Sequence, residues 1–464
     1  MTSQFTNPAL KRIFDLNELP VVTLEIQEND WNSLLMAFDE DPSRNFWIPG
    51  NFVFAESLKI PTQVVNNVGL RVRGNTSRSR PEGNPGELHN PNRPIWRQVS
   101  FAIQFARFTS TQRFEGLSRI DLKFIREDPT RIREVFSFDL LQQAGIISGP
   151  LISFCRFYIK IANDRPAYFG LYRLKEFIDE DYLENRKEFF GNSGTQRPFL
   201  WKGNNGAALN DYNPSVIENR DIYDLRTNTS FRQEANIQLA QFVRNLVNLQ
   251  DEALSNWATQ NINVPILMRT YMANVLCGNM DDYWFNSNDY NFYFNTQGIF
   301  YFIPNDFDTT LGTGWGIDAG RQDIMNWGNP ANPLIAKLIN QVPHFRQLYI
   351  DAFKELTDKS SGPFYVDKSI RRIGVWHKLI EKFIPDETIH NGCQNQGSYC
   401  VVGIQGNNSQ TAFEDQTAWW SMYSNRKYRL LERGFNNFFE VSGKPSRINQ
   451  LYFEYLRSLK RLID

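Results

Sequence analysis

The chain has 464 residues, room for two or three compact units or one large two-lobed one. Its 41% hydrophobic and 22% charged content is that of a globular protein and speaks against a long disordered tail, a coiled coil or a collagen-like rod. Lys plus Arg total 50 and Asp plus Glu 51, so a net charge of -1 speaks against a general grip on nucleic-acid polymers or anionic membranes, and any anion site must be local.

The opening residues, MTSQFTNPALKRIFDL, show no basic segment followed by an apolar one, so no secretion signal is visible. Nowhere do the roughly 18 consecutive apolar residues of a membrane span occur. Residues 20–27 (PVVTLEIQ) alternate as a strand does, and ENDWNSLLMAF reads as a helix capped by Asn29 or Asp30. Residues 64–73 (VVNNVGLRVR) predict a second strand running straight into Gly74-Asn75-Thr76-Ser77. Pro, Gly and Asn then dominate residues 80–94, which predicts a surface loop, and VSFAIQF (99–105) returns as the partner of a hairpin-like pair. SRIDLKFI is a further strand. DPTRIREVFSFDLLQQAGI predicts a helix with Asp128 as N-cap, Pro129 at its first position and Gly145 at its end. LISFCRFYIKIAN and AYFGLYRLKEFI add two strands around the turn NDRP, so residues 1–178 read as a β-rich lobe carrying one conspicuous helix. Helical spacing over 234–250, 265–277, 332–356, 366–383 and 411–433 makes residues 179–464 a mainly helical second lobe, and the fold class α+β.

The composition is rich in aromatics, with 37 Phe, 18 Tyr and 11 Trp, which suits packing of sheet faces and helix contacts; a carbohydrate- or base-stacking surface is the alternative. Cys155 and Cys277 sit in apolar text as buried thiols, whereas Cys393 and Cys400 flank a Gly/Asn/Gln loop that a disulfide would close in an oxidising compartment. Asn75, Asn228 and Asn407 begin glycosylation sequons. No His stands beside a Ser or Cys in a triad-like arrangement, which disfavours a nucleophilic hydrolase.

The densest acidic and amide text in the second half is residues 277–316, built on two short aromatic strands, Tyr290 to Phe294 and Ile299 to Ile303. An antiparallel hairpin returns the chain to where it began, so Asp281 and Asp282 are expected to face Asp306 and Asp308. Clustered carboxylates repel one another unless a cation joins them, and oxygen-only ligands suit Mg²⁺ or Mn²⁺ better than zinc. A divalent ion beside a free carboxylate is what phosphoryl transfer needs; a Ca²⁺-stabilised or merely hydrogen-bonded turn is the other reading.

The order of parts bears on this choice. A protein kinase runs strand, phosphate-covering turn, strand, lysine-bearing strand, helix with a Glu, and later a catalytic Asp loop, a short hairpin and a metal-binding Asp. This chain gives Arg73-Gly74-Asn75-Thr76-Ser77 between strands, then Lys123, the helix with Glu134, the Asp281 loop, the hairpin and Asp306, without GxGxxG, HRD or DFG.

In these residues the sequence resembles the CotH family of atypical kinases, named for a bacterial spore-coat protein. The likeness covers roughly residues 20–315 and rests on VGLRVRGNTSRS, DPTRIREVFSFDLLQQAGI, FGLYRLKEFIDEDYL, FLWKGN, and GNMDDY with NFYF and IPNDFDTTLG. The resemblance implies a two-lobed kinase-like fold and kinase activity, with Asp281 as catalytic base or orienting carboxylate. It implies Asp306 as metal ligand with Asp308 assisting, and Asn291 as the amide ligand, although Asn286 lies five residues after Asp281, the ordinary kinase spacing. The RGNTS turn, through Arg73, Asn75 and Ser77, would cover phosphates. Arg97 stands where the family often has lysines, so Lys123, paired with Glu134, is the candidate phosphate-binding lysine, the alternative being an exposed lysine in a surface ion pair. Glu176 and Lys202 match family positions expected to line a nucleotide cleft, and Asn305 replaces the family's Trp.

The expected activity is therefore transfer of a phosphoryl group from ATP, with Mg²⁺ or Mn²⁺, to Ser or Thr of a protein substrate. The competing expectations are a non-catalytic coat or assembly protein on the same scaffold, and nucleotidyl transfer. Family members act outside the cytoplasm or on the spore surface, which agrees with a bridged Cys393 and Cys400 but not with the absence of a visible signal. Substrate identity, oligomeric state and the role of residues 317–464 are not written in the sequence.

Overall fold

The computed structural model describes residues 5, 7–55, 62–74, 77–92, 95–125, 131–308, 310, 323–358, 360–364, 372–373, 375–376, 378–380 and 383. In chain order the elements are α1 (Ala9–Ile13), β1 (Val21–Ile26), α2 (Glu28–Glu40), β2 (Ile48–Ala55), β3 (Gln63–Arg73), β4 (Ser100–Gln104), β5 (Arg119–Phe124), α3 (Arg133–Gln143), β6 (Ile152–Ile161) and β7 (Ala167–Glu176). There follow α4 (Glu180–Asn185), α5 (Lys187–Phe190), β8 (Phe199–Gly203), α6 (Pro214–Ile217), β9 (Tyr223–Leu225), α7 (Arg232–Asn248), α8 (Asp251–Asn261), α9 (Val264–Leu276), α10 (Tyr283–Asn286), β10 (Tyr290–Phe294), β11 (Phe300–Pro304), α11 (Pro333–Gln341) and α12 (Pro343–Leu356).

The first seven strands form a closed barrel in the order β1-β2-β3-β4-β5-β7-β6, its seam made by the parallel pairing of β1 with β6. Closure arises from sequence alternation: Leu70, Val72, Phe101, Ile103, Ile120, Leu122, Tyr172 and Leu174 are buried together in the barrel's apolar core. Their neighbours Arg71, Arg73, Asp121, Lys123, Arg173 and Lys175 must then project from the opposite face, which makes the outer wall of β3, β5 and β7 highly charged. The sequence predicts a β-rich unit here, and the structure specifies it as a barrel.

A second core gathers α3, the sheet β11-β10-β8-β9 and the helices α7, α9, α11 and α12. The protein is thus a mixed α+β fold. Helix α3 falls within residues 1–178, yet its buried residues Val135, Phe136, Phe138, Leu140 and Leu141 belong to this second core. The aromatic surplus has a packing role: Phe292 stacks on Trp201, and Phe300 stacks on Phe292 and Phe242.

Several expectations change. Helix α2 begins at Glu28 with Gln27 as N-cap, so Asp30 lies in the first turn, where it favours the helix dipole. Helix α3 begins at Arg133 after Ile132, while the expected caps Asp128 and Pro129 lie outside the described residues. Its other end is as expected, with Gly145 at φ +75 after the C-cap Ala144. The segment 80–92 is no mere surface loop, because Arg80, Glu82 and His89 are buried and ion-paired or hydrogen-bonded. The predicted helix 332–356 is two, since Pro343 holds Val342 extended and opens a new helix. The loop-flanking pair Cys393 and Cys400, the sequon Asn407 and the predicted helix 411–433 lie outside the described residues; among those described, no helix is long and apolar enough to cross a membrane.

Candidate active site

Strands β10 and β11 pair from Tyr290 with Pro304 to Phe294 with Phe300. That register brings the Asp281 segment and the Asp306 segment to one end of the hairpin. Asn279 ties the two: its side chain donates to the Asp306 carbonyl at 2.9 Å and to Asn274 at 3.1 Å, and accepts from the Asp281 N–H at 3.2 Å.

Asp281 is oriented by two amides, as Asn286 and Asn288 both donate to its Oδ1 at 2.8 Å. Among the described residues nothing donates to its Oδ2, which leaves one carboxylate oxygen for a ligand. Burial raises its pKa, the two amide bonds oppose the rise, and the charges of Asp289 and Asp306 add to it. Asp282 does not join the cluster as the sequence suggests. It turns inward, caps α10 through the Phe285 N–H at 2.8 Å, and accepts from Tyr271 Oη at 2.6 Å and Asn274 at 2.5 Å. Burial lifts its pKa to about 6 against those bonds.

On the hairpin's other arm, Phe307 is wholly buried and packs on Phe138 of α3 with ring centroids 5.0 Å apart. Anchoring the middle residue inward leaves Asp306 and Asp308 on the opposite side, and both meet Lys123 of β5. Lys123 Nζ lies 2.8 Å from Asp306, 2.8 Å from Asp308 and 3.3 Å from Glu134 of α3. Glu134 has no exposed side-chain surface, and Arg173 and Lys175 of β7 grip it as well. Lys175 also donates to the carbonyl of Asn305, fastening the barrel wall to the acidic segment.

The electrostatics follow from this crowding. Burial would lift the Glu134 carboxyl, but Arg173, Lys123 and Lys175 hold it below the usual range. Asp306 is likewise held well below it by Lys123 and Lys175 against its own burial. Asp308 is pushed the other way, to about 6, by burial and by the charge of Asp306. Its side chain keeps 39% exposure, so solvent weakens the burial part of that push. Lys123, despite burial, is held protonated by three carboxylates.

Among the described residues no group of three or more His, Cys, Asp or Glu stands close enough to bind a metal unaided. The acids that meet Lys123 among the described residues offer carboxylate oxygens, which fit a hard cation that takes its remaining ligands from phosphates and water. The ammonium between Asp306 and Asp308 shows that the pair is built around a positive charge.

The remaining expected residues divide. Arg73 pairs with Asp121 at 3.1 Å, two residues along β5 from Lys123. Gly74 has φ +126 and a Cβ there would meet Ser77 Oγ at 2.7 Å, so the turn needs glycine; Asn75 lies outside the described residues. Lys202 of β8 pairs with Asp289 at 2.8 Å and lies beside Asn291 in the sheet, where Asn291 is buried. It is Asn286, not Asn291, that bonds Asp281. Glu176, expected to line the cleft, is instead locked in a buried pair with Arg186 at 2.6 Å and accepts from the Leu151 N–H at 2.9 Å. Arg97 faces the 80–92 segment, donating to Gly83 and Asn84. Sequence reasoning missed Arg173 and Lys175; the signal was two cations at i and i+2 in a strand buried along nearly its whole length.

A family model described as CotH kinase protein matches residues 70–429. No curated protein matches the chain.

Proposed function

The chain belongs to the CotH kinase family, and from that premise we propose that it transfers the γ-phosphoryl group of ATP, with Mg²⁺ or Mn²⁺, to Ser or Thr hydroxyls of a protein substrate. The observation that carries this reading is Lys123, which touches Glu134 of α3 on one side and Asp306 and Asp308 on the other. Phosphoryl transfer asks for a strand lysine held by a helix glutamate next to a metal-binding aspartate.

The roles follow. Lys123, positioned by Glu134, donates to phosphate oxygens; Arg173 and Lys175 keep Glu134 ionised while it does so. Asp306 and Asp308 would hold the divalent ion, with Asn291 or Asn286 as the candidate amide ligand, and the ion would supply neutralisation of charge on the phosphates. Asp281 presents its unbonded oxygen to the acceptor hydroxyl and orients or deprotonates it. The Gly74 turn lies at the end of β3, where its backbone N–H groups cover phosphate oxygens. An extracellular, cell-surface or spore-surface setting belongs to the same proposal and is read by fractionation of the producing cells.

The test is the intact mass of an acceptor protein after incubation with ATP and Mg²⁺ or Mn²⁺. Gain of one phosphoryl group supports the proposal. Gain of a nucleotidyl group assigns the other transfer chemistry, and an unchanged mass with every acceptor and either metal favours the scaffold.

A further inference from the structure

The charged outer wall of the barrel is balanced at one end and unbalanced at the other. Near α3, Lys123, Arg173 and Lys175 are met by Glu134, Asp306 and Asp308. Two positions back along β5, about 7 Å away by strand geometry, stands Asp121, the one acid that Arg71, Arg73 and Arg119 share among the described residues.

Arg73 reaches Asp121 Oδ2 at 3.1 Å and Arg119 reaches its Oδ1 at 3.0 Å, which occupies both oxygens of a carboxylate that is 5% exposed. Arg71 is left with a bond to the Val72 carbonyl at 3.1 Å, and its Nε is buried without a partner. Its guanidinium rests on Trp47, 5.0 Å from the ring, and Arg119 lies 3.5 Å from the ring of Phe177, so both planes are fixed. Among the described residues the flanks bring two further cations, each with an acid of its own, Asp41 beside Arg78 and Asp224 beside Arg226. Arg78 approaches Arg71 from the segment after the Gly74 turn, and Arg226 approaches Arg119 from beyond β9 with its own partner Asp224 at 3.0 Å. Burial and then the charge of Arg119 push the Arg71 guanidinium down to about 9, the direction expected of a cation crowded by its like.

Partly buried guanidinium groups in excess of their acids are costly unless an anion joins them, and rigid guanidinium forks fit phosphate in bidentate fashion. We infer that Arg71, Arg73 and Arg119 form a second anion subsite on the barrel wall, separate from the Lys123 end, for a phosphate group of a substrate. Two sources carry that chemistry: the nucleotide, lying along the wall with its transferable end at Lys123, or an acceptor protein already phosphorylated near its target residue. The subsite itself stands on the charge arrangement; only the choice between sources rests on the phosphoryl-transfer reading.

The first arm needs no catalysis. Inorganic phosphate titrated into the full-length protein by calorimetry is expected to bind saturably, and Arg71→Gln and Arg119→Gln are each expected to weaken it by at least about tenfold. Lys187→Gln, in an exposed pair with Glu184, is expected to leave phosphate affinity unchanged, and Arg71→Lys to lose less than Arg71→Gln. Thermal melts screen for misfolded variants, and Arg71→Gln, being at the surface-reached side of the wall, serves if Arg119→Gln does not fold. Absence of saturable binding, or equal binding by wild type and Arg71→Gln, overturns the inference. The second arm compares steady-state KM values: a rise for ATP in Arg71→Gln assigns the subsite to the nucleotide, and a rise for a phosphoserine peptide but not its unphosphorylated twin assigns it to the acceptor. A KM unchanged for all three overturns a role in substrate binding even if free phosphate binds.

Discussion

Replacing Glu134 by Gln separates a buried electrostatic hub from an ordinary surface ion pair. Glu134 has no exposed side-chain surface and faces Lys123 at 3.3 Å and Lys175 at 3.1 Å, with Arg173 also in contact. Glutamine keeps the size and one acceptor but leaves three cations with one fewer negative charge among them. Removing one partner of a buried charge pair costs about 3–5 kcal/mol, whereas an exposed pair is worth about 0–1 kcal/mol. Urea unfolding of wild type and Glu134→Gln, followed by fluorescence, reads the difference directly when the m-values agree. Because the three cations are coupled, Lys175→Met placed on Glu134→Gln is expected to cost less than Lys175→Met alone, or to restore stability. A loss below about 1 kcal/mol, additive with that of Lys175→Met, refutes the hub and with it the positioning of Lys123.

Burial raises Asp282 from 3.8 to about 6. The folded state therefore holds a proton that the unfolded state releases, and this stabilisation is full below pH 4 and lost as pH rises through 6. The loss is about 3 kcal/mol, and Asp282→Asn is expected to flatten it in melts run across that range. His89 lies between Glu82 at 2.9 Å and Asp164 at 2.8 Å, and its pKa is raised because their bonds and charges outweigh burial. Its contribution is present below the ordinary His range and lost as pH rises through the raised value, a dependence that His89→Gln should remove from the stability profile. With Asp281 raised by burial, the acid limb of kcat/KM is expected above the ordinary carboxylate range, and absence of that limb speaks against Asp281 as base. Gly74→Ala forces a Cβ to 2.7 Å from Ser77 Oγ and should raise the KM for ATP with a smaller effect on kcat.

The parts of the fold set by local periodicity were legible. Strand β1 alternates along its whole length, whereas β7 and both hairpin strands are buried nearly throughout and were marked by their apolar and aromatic residues rather than by period. The stop of α3 was marked by Gly145, which has φ +75. The pairing of Lys123 with Glu134 could be named from serial order because a strand followed by a helix returns its side chains to the same layer. What failed were decisions made by tertiary packing. Asp282 and Asp281 are adjacent and chemically alike, and only the reach of Tyr271 and Asn274 pulls one inward. Glu176 matches a family position, yet Arg186, ten residues on, claims it. The polar 80–92 segment reads as solvent-exposed by composition, although Glu82 is sealed against Trp31, whose indole N–H donates to it at 2.7 Å, and His89 packs against Trp96. Barrel closure depends on the parallel β1–β6 pairing across more than a hundred residues, which no local pattern announces.

The central claim is that Asp281 and Asp306 serve phosphoryl transfer from opposite arms of one hairpin. Its most direct test is transfer of label from γ-labelled ATP to an acceptor protein, with Mg²⁺ or Mn²⁺, by wild type, Asp281→Asn and Asp306→Ala, all verified as folded. Labelling by wild type that falls at least about a hundredfold in each variant is the result expected. Labelling that persists in either variant, or none from wild type with either metal, contradicts it.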